Sequence, residues 1–411
     1  MSTTSLQPQV APVNEIRSHF PALERVHNGY PVAYFDGPGG TQVPRYVVEK
    51  MNDYLYHHNA NTHWAYPTSA ETDAALEHAR EVFASFLNAS ATEIAFGANM
   101  TTLTLHLSRS LSLDYKPGDE IVVTELDHHA NLDPWRRLAL ERGVTIRTVG
   151  IDTTTGQINR DELERYIGPK TKLLAIGAAS NALGTINELK SAIALAHAAG
   201  ALVFVDAVHY APHALIDVKE LDCDFVGMSA YKFYGPHIGV LYAKREHYER
   251  INFPRLVPAP DYAPENAESG TQNHEGMVGA AAAVEYLASL GGGVDLRNGL
   301  RNMFQETHAR NARLFARLWN ALGEMPRVNL YGPPPEAART PTLAFTIDGC
   351  TSTEAATRLA AKGLFLSHGD FYAYTIAERF GLQPEGFIRA GCAIYTTEEE
   401  IDRLIEAVSE L

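Results

Sequence analysis

Between about residues 90 and 245, short apolar runs alternate with stretches of helical length. EIVVTEL is followed by DPWRRLALERG, and KLLAIGAAS is followed by ELKSAIALAHAAG. Strands that alternate with helices in this way form a mostly parallel sheet covered by helices. Ligands of such sheets bind at the carboxyl ends of the strands. The residues at those strand ends are therefore the first place to look for function.

The pattern changes near residue 295, where a long helical stretch precedes a Gly-Pro-Pro-Pro break and three further apolar runs, TLAFTID, LFLSHGD and FIRAGCAIY. These runs alternate with helical stretches and indicate a smaller α/β domain. We predict an N-terminal segment (residues 1–30), a large domain (31–294) and a small C-terminal domain (295–411) packed with the N-terminal segment. Residues 1 to about 12 are predicted to be a disordered or loosely docked tail.

Composition excludes several classes of partner. Asp plus Glu (49) exceed Lys plus Arg (34), the net charge is −15, and no basic run could track phosphates, so no nucleic-acid partner is expected. No apolar run reaches the roughly 18 residues that span a bilayer, and the N-terminus lacks a signal-peptide pattern, so no membrane association is expected. Cys223, Cys350 and Cys392 lie too far apart for a zinc site or a disulfide framework, which favours a reducing cytoplasm and no metal.

Polar residues stand where the predicted strands end. Lys232 is the most unusual, because it lies between the apolar runs DFVGM and IGVLY and lysine is rarely buried without compensation. Any one of the others alone is explained as a strand-capping residue, and for His128 or Asn181 alone that is the preferred interpretation. Strand capping does not readily explain why several polar residues converge on one edge of the sheet. Burying a lysine near an aspartate costs several kcal/mol unless a partner neutralises them. The other residues of the set are Asp127, His128, His129, Asn181, Asp206 and Ser229.

A pyridoxal 5'-phosphate site accounts for this set. The Lys232 amine would condense with the cofactor aldehyde, Asp206 would keep the pyridine nitrogen protonated, and a histidine would stack on the ring. The phosphate needs hydrogen-bond donors and a helix N-terminus. The candidates for this task are Ser229, Tyr231 and the backbone at Ala98, Asn99 and Met100.

The stretch ALVFVDAVHYAPHALIDVKELDCDFVGMSAYKFYGPHIGVLY resembles the cofactor core of cysteine desulfurases and related class V aminotransferases. Further matching motifs are YFDGPGGTQVP, TELDHHANLDPW, SNALGTIN, ESGTQNHEGMVGAAAAVEYLASLG and IRAGCAIYTTEEEIDRLIEAV. The resemblance runs from about residue 30 to the C-terminus. It implies a fold type I pyridoxal-phosphate transferase, with a large, mostly parallel domain and a smaller C-terminal α/β domain.

Position by position, the resemblance implies roles for individual residues. Lys232 would be the Schiff-base lysine, Asp206 the pyridine partner and His128 the stacking histidine. Asn181 would bind the cofactor 3-oxygen, and Ser229 would bind the phosphate. His209 stands where the family usually has glutamine and Tyr231 where it usually has histidine, and both can still donate hydrogen bonds.

Other matches concern the substrate and the partner subunit. Thr271 matches a threonine that reaches the phosphate of the neighbouring subunit, so a homodimer is implied. Arg389 matches the arginine that binds the substrate carboxylate, a task suited to a bidentate guanidinium. His63 and His368 are further candidates for substrate binding. Trp64 stands where the family usually has an arginine after His63. GPGG at 37–40 replaces a small-residue turn, which would enlarge the substrate pocket or weaken substrate binding.

The main departure is the absence of a nucleophilic cysteine in FLSHGDFYAY, the segment where desulfurases carry it. Tyr372 or a neighbour takes its place, and the three cysteines are predicted to be small buried residues. We therefore expect an enzyme of the lyase, epimerase or transaminase type that acts at Cα or Cβ of a small-molecule amino acid or amine, through an external aldimine and a quinonoid. Alternatives are a true cysteine desulfurase with another sulfur acceptor and a non-catalytic cofactor-binding protein. The predicted catalytic residues are Lys232, His128, Asp370 and Tyr372.

Overall fold

The computed structural model describes residues 10–411, so the predicted tail lies mostly outside the described residues. Eleven strands build its two main sheets. They are β1 (Ile94–Gly97), β2 (Glu120–Thr124), β3 (Thr145–Val149), β4 (Thr171–Gly177), β5 (Leu202–Asp206), β6 (Phe225–Ser229), β7 (Gly239–Ala243), β8 (Val328–Tyr331), β9 (Thr342–Ile347), β10 (Ser367–Gly369) and β11 (Phe387–Gly391).

Helices connect and cover these strands. They are α1 (Val13–Ser18), α2 (Arg45–Asp53), α3 (Pro67–Leu87), α4 (Met100–Leu111), α5 (Asp133–Arg142), α6 (Arg160–Tyr166), α7 (Leu189–Ala198), α8 (Val218–Leu221), α9 (Arg245–Arg250), α10 (His274–Gly291), α11 (Leu296–Gly323), α12 (Ser352–Ala361), α13 (Tyr374–Arg379) and α14 (Glu398–Ser409).

The large sheet has seven strands in the order β1-β7-β6-β5-β4-β2-β3. The strands from β6 to β3 pair in parallel, and β7 runs antiparallel to both of its neighbours. The predicted mostly parallel sheet is confirmed. Because five parallel strands point the same way, their carboxyl ends share one edge of the sheet.

Both faces of this sheet are buried, which explains the nearly continuous apolar strands of the sequence. Within β5, Val203 and Val205 pack into one core while Phe204 packs into the other, as the alternation of a strand requires. The first core includes side chains of α3, α7 and α10, and the second includes α4 and α5. The helices thereby hold the sheet rigidly beneath its carboxyl edge.

The smaller sheet is antiparallel, in the order β8-β9-β11-β10. Its core contains residues of α11, α12 and α14. The N-terminal part reaches this region, since Ala33–Tyr34 pairs in parallel with Leu364–Phe365 and Arg17 lies 2.9 Å from Glu400. The predicted small α/β unit is confirmed, while the boundaries at residues 30 and 294 stay predictions.

Among residues 10–411, no single helix is both long and apolar enough to cross a membrane. The pair α10 and α11 meets that test only when taken together, and the two helices are bent by 69° at their junction.

Candidate active site

The polar residues predicted at the strand ends line one cavity. Asp206 is the last residue of β5 and Ser229 is the last residue of β6. Lys232 lies in the short 3₁₀ turn that follows β6. His128 lies after β2 and Asn181 after β4, and both line the same cavity. The sheet brings them together because the strands that precede them are parallel and neighbouring, so their carboxyl ends converge.

Lys232 is buried, with 8% of its surface exposed. Its Nζ donates hydrogen bonds to the carbonyl oxygens of Pro38 and Gly39, the latter at 3.0 Å, in the turn GPGG. Burial lowers the pKa of this amine to about 7, and the charge of Arg389 lowers it further, while Asp36 and Asp206 oppose the shift. A large fraction of the lysine is therefore an uncharged, nucleophilic amine near neutral pH.

Two carboxyl groups lie beneath the cavity. Burial raises the pKa of Asp206 to about 6, and its Oδ1 accepts a hydrogen bond from Val208 N at 2.9 Å. Burial also raises the pKa of Asp127 to about 7. Asp127 is held by the hydroxyl of Thr124 and by Asn131 Nδ2 at 2.8 Å. Both carboxylates would be stabilised by a cation or by a hydrogen-bond donor brought into the cavity.

His128 lies above these carboxyl groups. Its Nδ1 accepts a hydrogen bond from Ala130 N at 2.9 Å, which fixes the orientation of the ring. Burial lowers its pKa to about 4, with further lowering by Lys232, so the imidazole is neutral at physiological pH. A neutral, oriented ring can stack on a planar group.

The N-terminus of α4 forms one wall. Asn99 caps the helix by accepting a hydrogen bond from Thr102 N at 2.9 Å, and Met100 N donates to Ser229 Oγ at 3.0 Å. Thr101, in the first turn, also lines the cavity. A capped helix N-terminus beside a serine hydroxyl is a site for an anion such as phosphate.

Two buried polar atoms in the cavity wall have no hydrogen-bond partner, Asn181 Oδ1 and His209 Nδ1. Asn181 Nδ2 donates to Phe371 O at 2.9 Å, which leaves its second N–H available. Tyr231 also lines the cavity, and its ring stacks on His237 with the centroids 4.9 Å apart. Unpartnered buried polar atoms cost about 1–3 kcal/mol each, so their presence indicates a ligand or water at this position.

Arg389 lies in β11 and is 3% exposed. Its Nη1 donates to Asn181 O at 2.8 Å, its Nε donates to Ser367 Oγ at 3.1 Å, and its Nη2 lies 3.7 Å from Asp36 Oδ1. Burial lowers its pKa to about 10, so the guanidinium stays charged. A buried, oriented guanidinium whose carboxylate partner lies as far as 3.7 Å is suited to bind a substrate carboxylate.

Asp36 and Ser367 were not found by sequence reasoning. Ser367 in β10 pairs directly with Arg389 in β11, and directly paired residues project from the same face of a sheet. This pairing explains the hydrogen bond from Arg389 Nε to Ser367 Oγ. The register of that pair is not visible in the sequence. The motif YFDGPGG did contain Asp36, and its position before the turn that holds Lys232 was the available signal.

The loop 370–373 contacts two residues of the cavity wall, Asn181 and His128. Phe371 and Tyr372 both have φ of 58°, a left-handed conformation that is uncommon outside glycine. Hydrogen bonds hold this conformation, from Tyr372 N to Asp370 Oδ1 at 2.9 Å and from His129 N to Tyr372 O at 2.8 Å. The Tyr372 ring lies 5.4 Å from the His128 ring, so Tyr372 lies beside the cavity wall, and the catalytic roles of Asp370 and Tyr372 stay predictions.

Three predicted residues do not join the cavity. Thr271 is exposed in the segment before α10. His63 is exposed, and its Nδ1 lies 3.3 Å from Asp73, while its neighbour Trp64 is also exposed. His368 pairs with Ile388, one residue beyond the pair Ser367 and Arg389, and therefore projects from the opposite face, where its Nδ1 lies 3.3 Å from Thr353 Oγ1.

The sequence matches the family model of class-V aminotransferases over residues 33–404. The chain belongs to the class-V aminotransferase family. A cysteine desulfurase of Pectobacterium atrosepticum is 33% identical over 97% of this chain and 98% of its own length. A cysteine desulfurase of Synechococcus elongatus is 34% identical over 97% of this chain, which spans 63% of that longer relative.

Solved structures agree with this family. The cysteine desulfurase CsdA of Escherichia coli superposes with a TM-score of 0.84 at 29% identity, over 98% of both chains. The apo cysteine desulfurase of Thermococcus onnurineus gives a TM-score of 0.87 at 27% identity, also over 98% of both chains. The predicted fold type I architecture is confirmed, and this class-V aminotransferase is a pyridoxal-phosphate-dependent enzyme.

The cavity has the donors and acceptors that the cofactor needs. A carboxyl group for the pyridine nitrogen is present at Asp206, and the α4 N-terminus with Ser229 suits the phosphate. The second Nδ2 hydrogen of Asn181 and the His209 ring are suited to the 3-oxygen, and Lys232 provides the amine. In residues 10–411, no group of three or more His, Cys, Asp or Glu side chains is arranged to hold a metal ion.

Proposed function

We propose that this class-V aminotransferase acts at Cα or Cβ of a small amino acid, as a lyase, epimerase or transaminase, without forming a persulfide on its own cysteines. The observation that supports this proposal is the composition of the loop 370–373, which contains Asp370 and Tyr372 and no cysteine, with the Tyr372 ring 5.4 Å from the His128 ring.

The positions of the three cysteines support the proposal. Cys223 is buried in the core of the large sheet and Cys392 in the core of the small one, and burial raises the pKa of each thiol to about 12. Cys350 lies in the turn between β9 and α12 and packs against the small core. None of them lines the cavity, and a nucleophilic thiolate needs a lowered pKa and access to the substrate.

Each residue of the site has a separate task. Bound pyridoxal phosphate supplies an aldehyde for the amine and an electron-accepting ring that weakens bonds at Cα. Arg389 binds the substrate carboxylate and thereby orients Cα. Lys232 Nζ, whose pKa of about 7 leaves a large fraction uncharged near neutral pH, accepts a proton and returns it. Tyr372 and Asp370, in the loop beside His128, exchange protons with the substrate or its leaving group.

The quaternary structure and location belong to the same proposal. The enzyme acts as a cytoplasmic homodimer in which Thr271 of each chain contributes to the phosphate site of the other. The exposure of Thr271, outside the cavity of its own chain, supports this arrangement.

The names of the relatives favour a second candidate, a true cysteine desulfurase that passes sulfur to another acceptor. Transfer of sulfur from cysteine to an added thiol would identify this second candidate, and replacement of all three cysteines by serine tests whether the chain's own thiols carry the sulfur. We expect the triple variant to keep its activity, while Tyr372→Phe and Asp370→Asn each lower turnover roughly 100-fold or more if the residue is a general acid or base. Tyr374→Phe, also exposed and two residues away, is the matched control. Labelled persulfide on any of the three cysteines during turnover with cysteine would overturn the proposal.

A search with an amino-acid panel tests the remaining alternative. Turnover of at least one amino acid is expected, measured by release of ammonia or a keto acid or by inversion at Cα. A protein that binds the cofactor and turns over no amino acid or amine would be a non-catalytic binder, against the proposal.

A further inference from the structure

A second cavity, of about 230 Å³, adjoins the active site. It lies between α11, the loop 333–341 and the turn that follows β5. His213, His308, Asn311 and Thr340 line it, and His308 is exposed, so the cavity communicates with solvent. The reaction described above makes no use of these residues.

One histidine joins the two cavities. His209 lines the active site, and its Nε2 lies 3.0 Å from the hydroxyl oxygens of both Thr340 and Thr342. Thr340 lines the second cavity. The His213 ring, also in the second cavity, lies 5.3 Å from the His209 ring between centroids. A hydrogen bond between His209 and Thr340 therefore joins the linings of the two cavities, and the Thr340 hydroxyl also lies 3.2 Å from Thr342 Oγ1 and 3.4 Å from Gly184 O.

Unpartnered atoms stand on both sides of this hydrogen bond. His209 Nδ1 is buried without a partner on the active-site side, and Asn311 Oδ1 is buried without a partner beside the second cavity. Such atoms are normally satisfied by ordered water when the space is polar and large enough. A cavity of about 230 Å³ holds several waters, each of which occupies roughly 30 Å³.

We propose that His209 and Thr340 conduct protons between the active site and water in the second cavity, with His213 as a further relay. The proposal rests on the proposed function, which requires proton exchange at the substrate. His209 Nδ1 accepts a proton from the active site, Nε2 passes its proton to Thr340 Oγ1, and the threonine hydroxyl passes its own proton to water or His213. One proton enters and one leaves, no electrons are exchanged, and the reverse transfer restores the original tautomer.

The groups around His209 disfavour its protonated form, so the ring can transfer a proton but does not retain one. Lys232 and Arg389 face it from the active site and His213 from the other side, while His308 of α11 faces His213. Burial holds the pKa of His209 well below its usual range, and burial also lowers the pKa of His213 to about 3. The neutral ring is therefore the resting state.

Variants of the full chain test the path with two measurements. The first, on cofactor-free protein, is the exchange of the His209 Nε2 proton with solvent, followed by nitrogen NMR of ¹⁵N-histidine-labelled protein. The second, on loaded enzyme, is incorporation of solvent deuterium at Cα of a substrate found in the panel. Thr340→Val removes the hydroxyl with little change of shape, and we expect both rates to fall roughly tenfold or more.

Thr307→Val is the matched control, because Thr307 also lines the second cavity but its hydroxyl donates to Met303 O within α11. Both rates should be unchanged in this variant. His213→Ala should slow both rates, and free imidazole, which fits the open cavity, should restore them.

The outcomes distinguish the path from the proposed function. Unchanged exchange in Thr340→Val, or a loss of cofactor retention without slower exchange, would show that the hydroxyl is only structural and would overturn the path. Slower exchange in cofactor-free Thr340→Val, in a protein that turns over no amino acid, would support the path and reject the proposed function.

Discussion

The Arg80 guanidinium and the Glu268 carboxylate form a buried, bidentate ion pair, with N–O distances of 2.7 and 2.9 Å. Arg80 also donates to Ile94 O at 2.7 Å, and Glu268 accepts from Phe96 N at 2.8 Å. The pair thus joins α3 and the edge strand β1 to the start of the segment ESGT at 268–271. The position of Thr271 depends on this anchor.

Breaking this pair is expected to be costly. Glu268→Ala leaves a buried guanidinium without its counter-charge, so the free energy of unfolding should fall by about 3–5 kcal/mol. Urea unfolding measures the change. Glu141→Ala, which removes the exposed pair Arg137–Glu141 at 2.6 Å, is the control and should cost less than about 1 kcal/mol. Equal losses in the two variants would contradict the importance of burial.

Thr271→Ala should weaken cofactor retention in the homodimer, because the hydroxyl would serve the site of the other chain. Mixed dimers of a Lys232→Ala chain and a Thr271→Ala chain make the test specific. If Thr271 acts across the interface, one of the two sites in the mixed dimer is intact and retains cofactor. If it acts within its own chain, no site is intact. A monomer with a complete site would also refute the prediction.

Lys232→Ala should abolish the yellow colour of the purified protein and leave the fold intact, as judged by circular dichroism. In the wild-type protein, the rate of colour formation with added cofactor should rise with pH up to about 7 and then level off, because burial lowers the lysine pKa to about 7. An ordinary lysine, with a pKa near 10.4, would keep gaining reactivity well above that pH. A wild-type protein that stays colourless with pyridoxal phosphate would contradict the site.

Phe371 covers the guanidinium of Arg389, with 3.9 Å between the guanidinium carbon and the ring centroid. A desolvated cation–π contact contributes about 1–2 kcal/mol, so Phe371→Leu should raise KM for the amino acid by roughly tenfold, with a smaller effect on kcat. The corresponding amine, which lacks the carboxylate, serves as the control substrate. The same increase in KM for both substrates would argue against a role in carboxylate binding.

Asp224 should govern part of the acid stability. Burial alone would raise its pKa, but hydrogen bonds from His247 Nε2 at 2.8 Å, His197 Nε2 at 2.9 Å and Val203 N lower it to about 2. An unfolded aspartate has a pKa near 3.9, so the stabilisation is complete above about pH 4 and is lost as the pH falls toward 2.

We therefore expect Asp224→Asn to lower the free energy of unfolding by about 2 kcal/mol at pH 7 and to flatten its dependence on pH between 4 and 2. Urea midpoints across that range measure both effects. Asp222 is exposed, so Asp222→Asn should change the free energy of unfolding by no more than about 0.5 kcal/mol at any pH in that range. If the free energy of unfolding of Asp224→Asn falls between pH 4 and pH 2 as steeply as that of the wild-type protein, Asp224 does not govern the acid stability.

The sequence by itself determined the large sheet and much of the site. Alternating apolar and helical stretches are a local property, and parallel strands that follow from them must present their carboxyl ends together. Asp206, Ser229 and Lys232 could be assigned to one cavity for that reason, since each stands directly after a strand. The capped N-terminus of α4 at Asn99 is equally local, because the cap and its bonded residue lie three positions apart.

Only the tertiary structure decided which side chains of the small sheet reach the site. Ser367 projects toward Arg389, and His368 projects from the opposite face of the sheet. The register of β10 on β11 decides this, because a slip of one residue moves every side chain of a strand to the other face. The contact of Thr340 with His209 joins residues 131 positions apart, and the contact of Asn181 with Phe371 joins residues 190 apart. Such pairs arise from the packing of two sheets against each other, which no local pattern encodes.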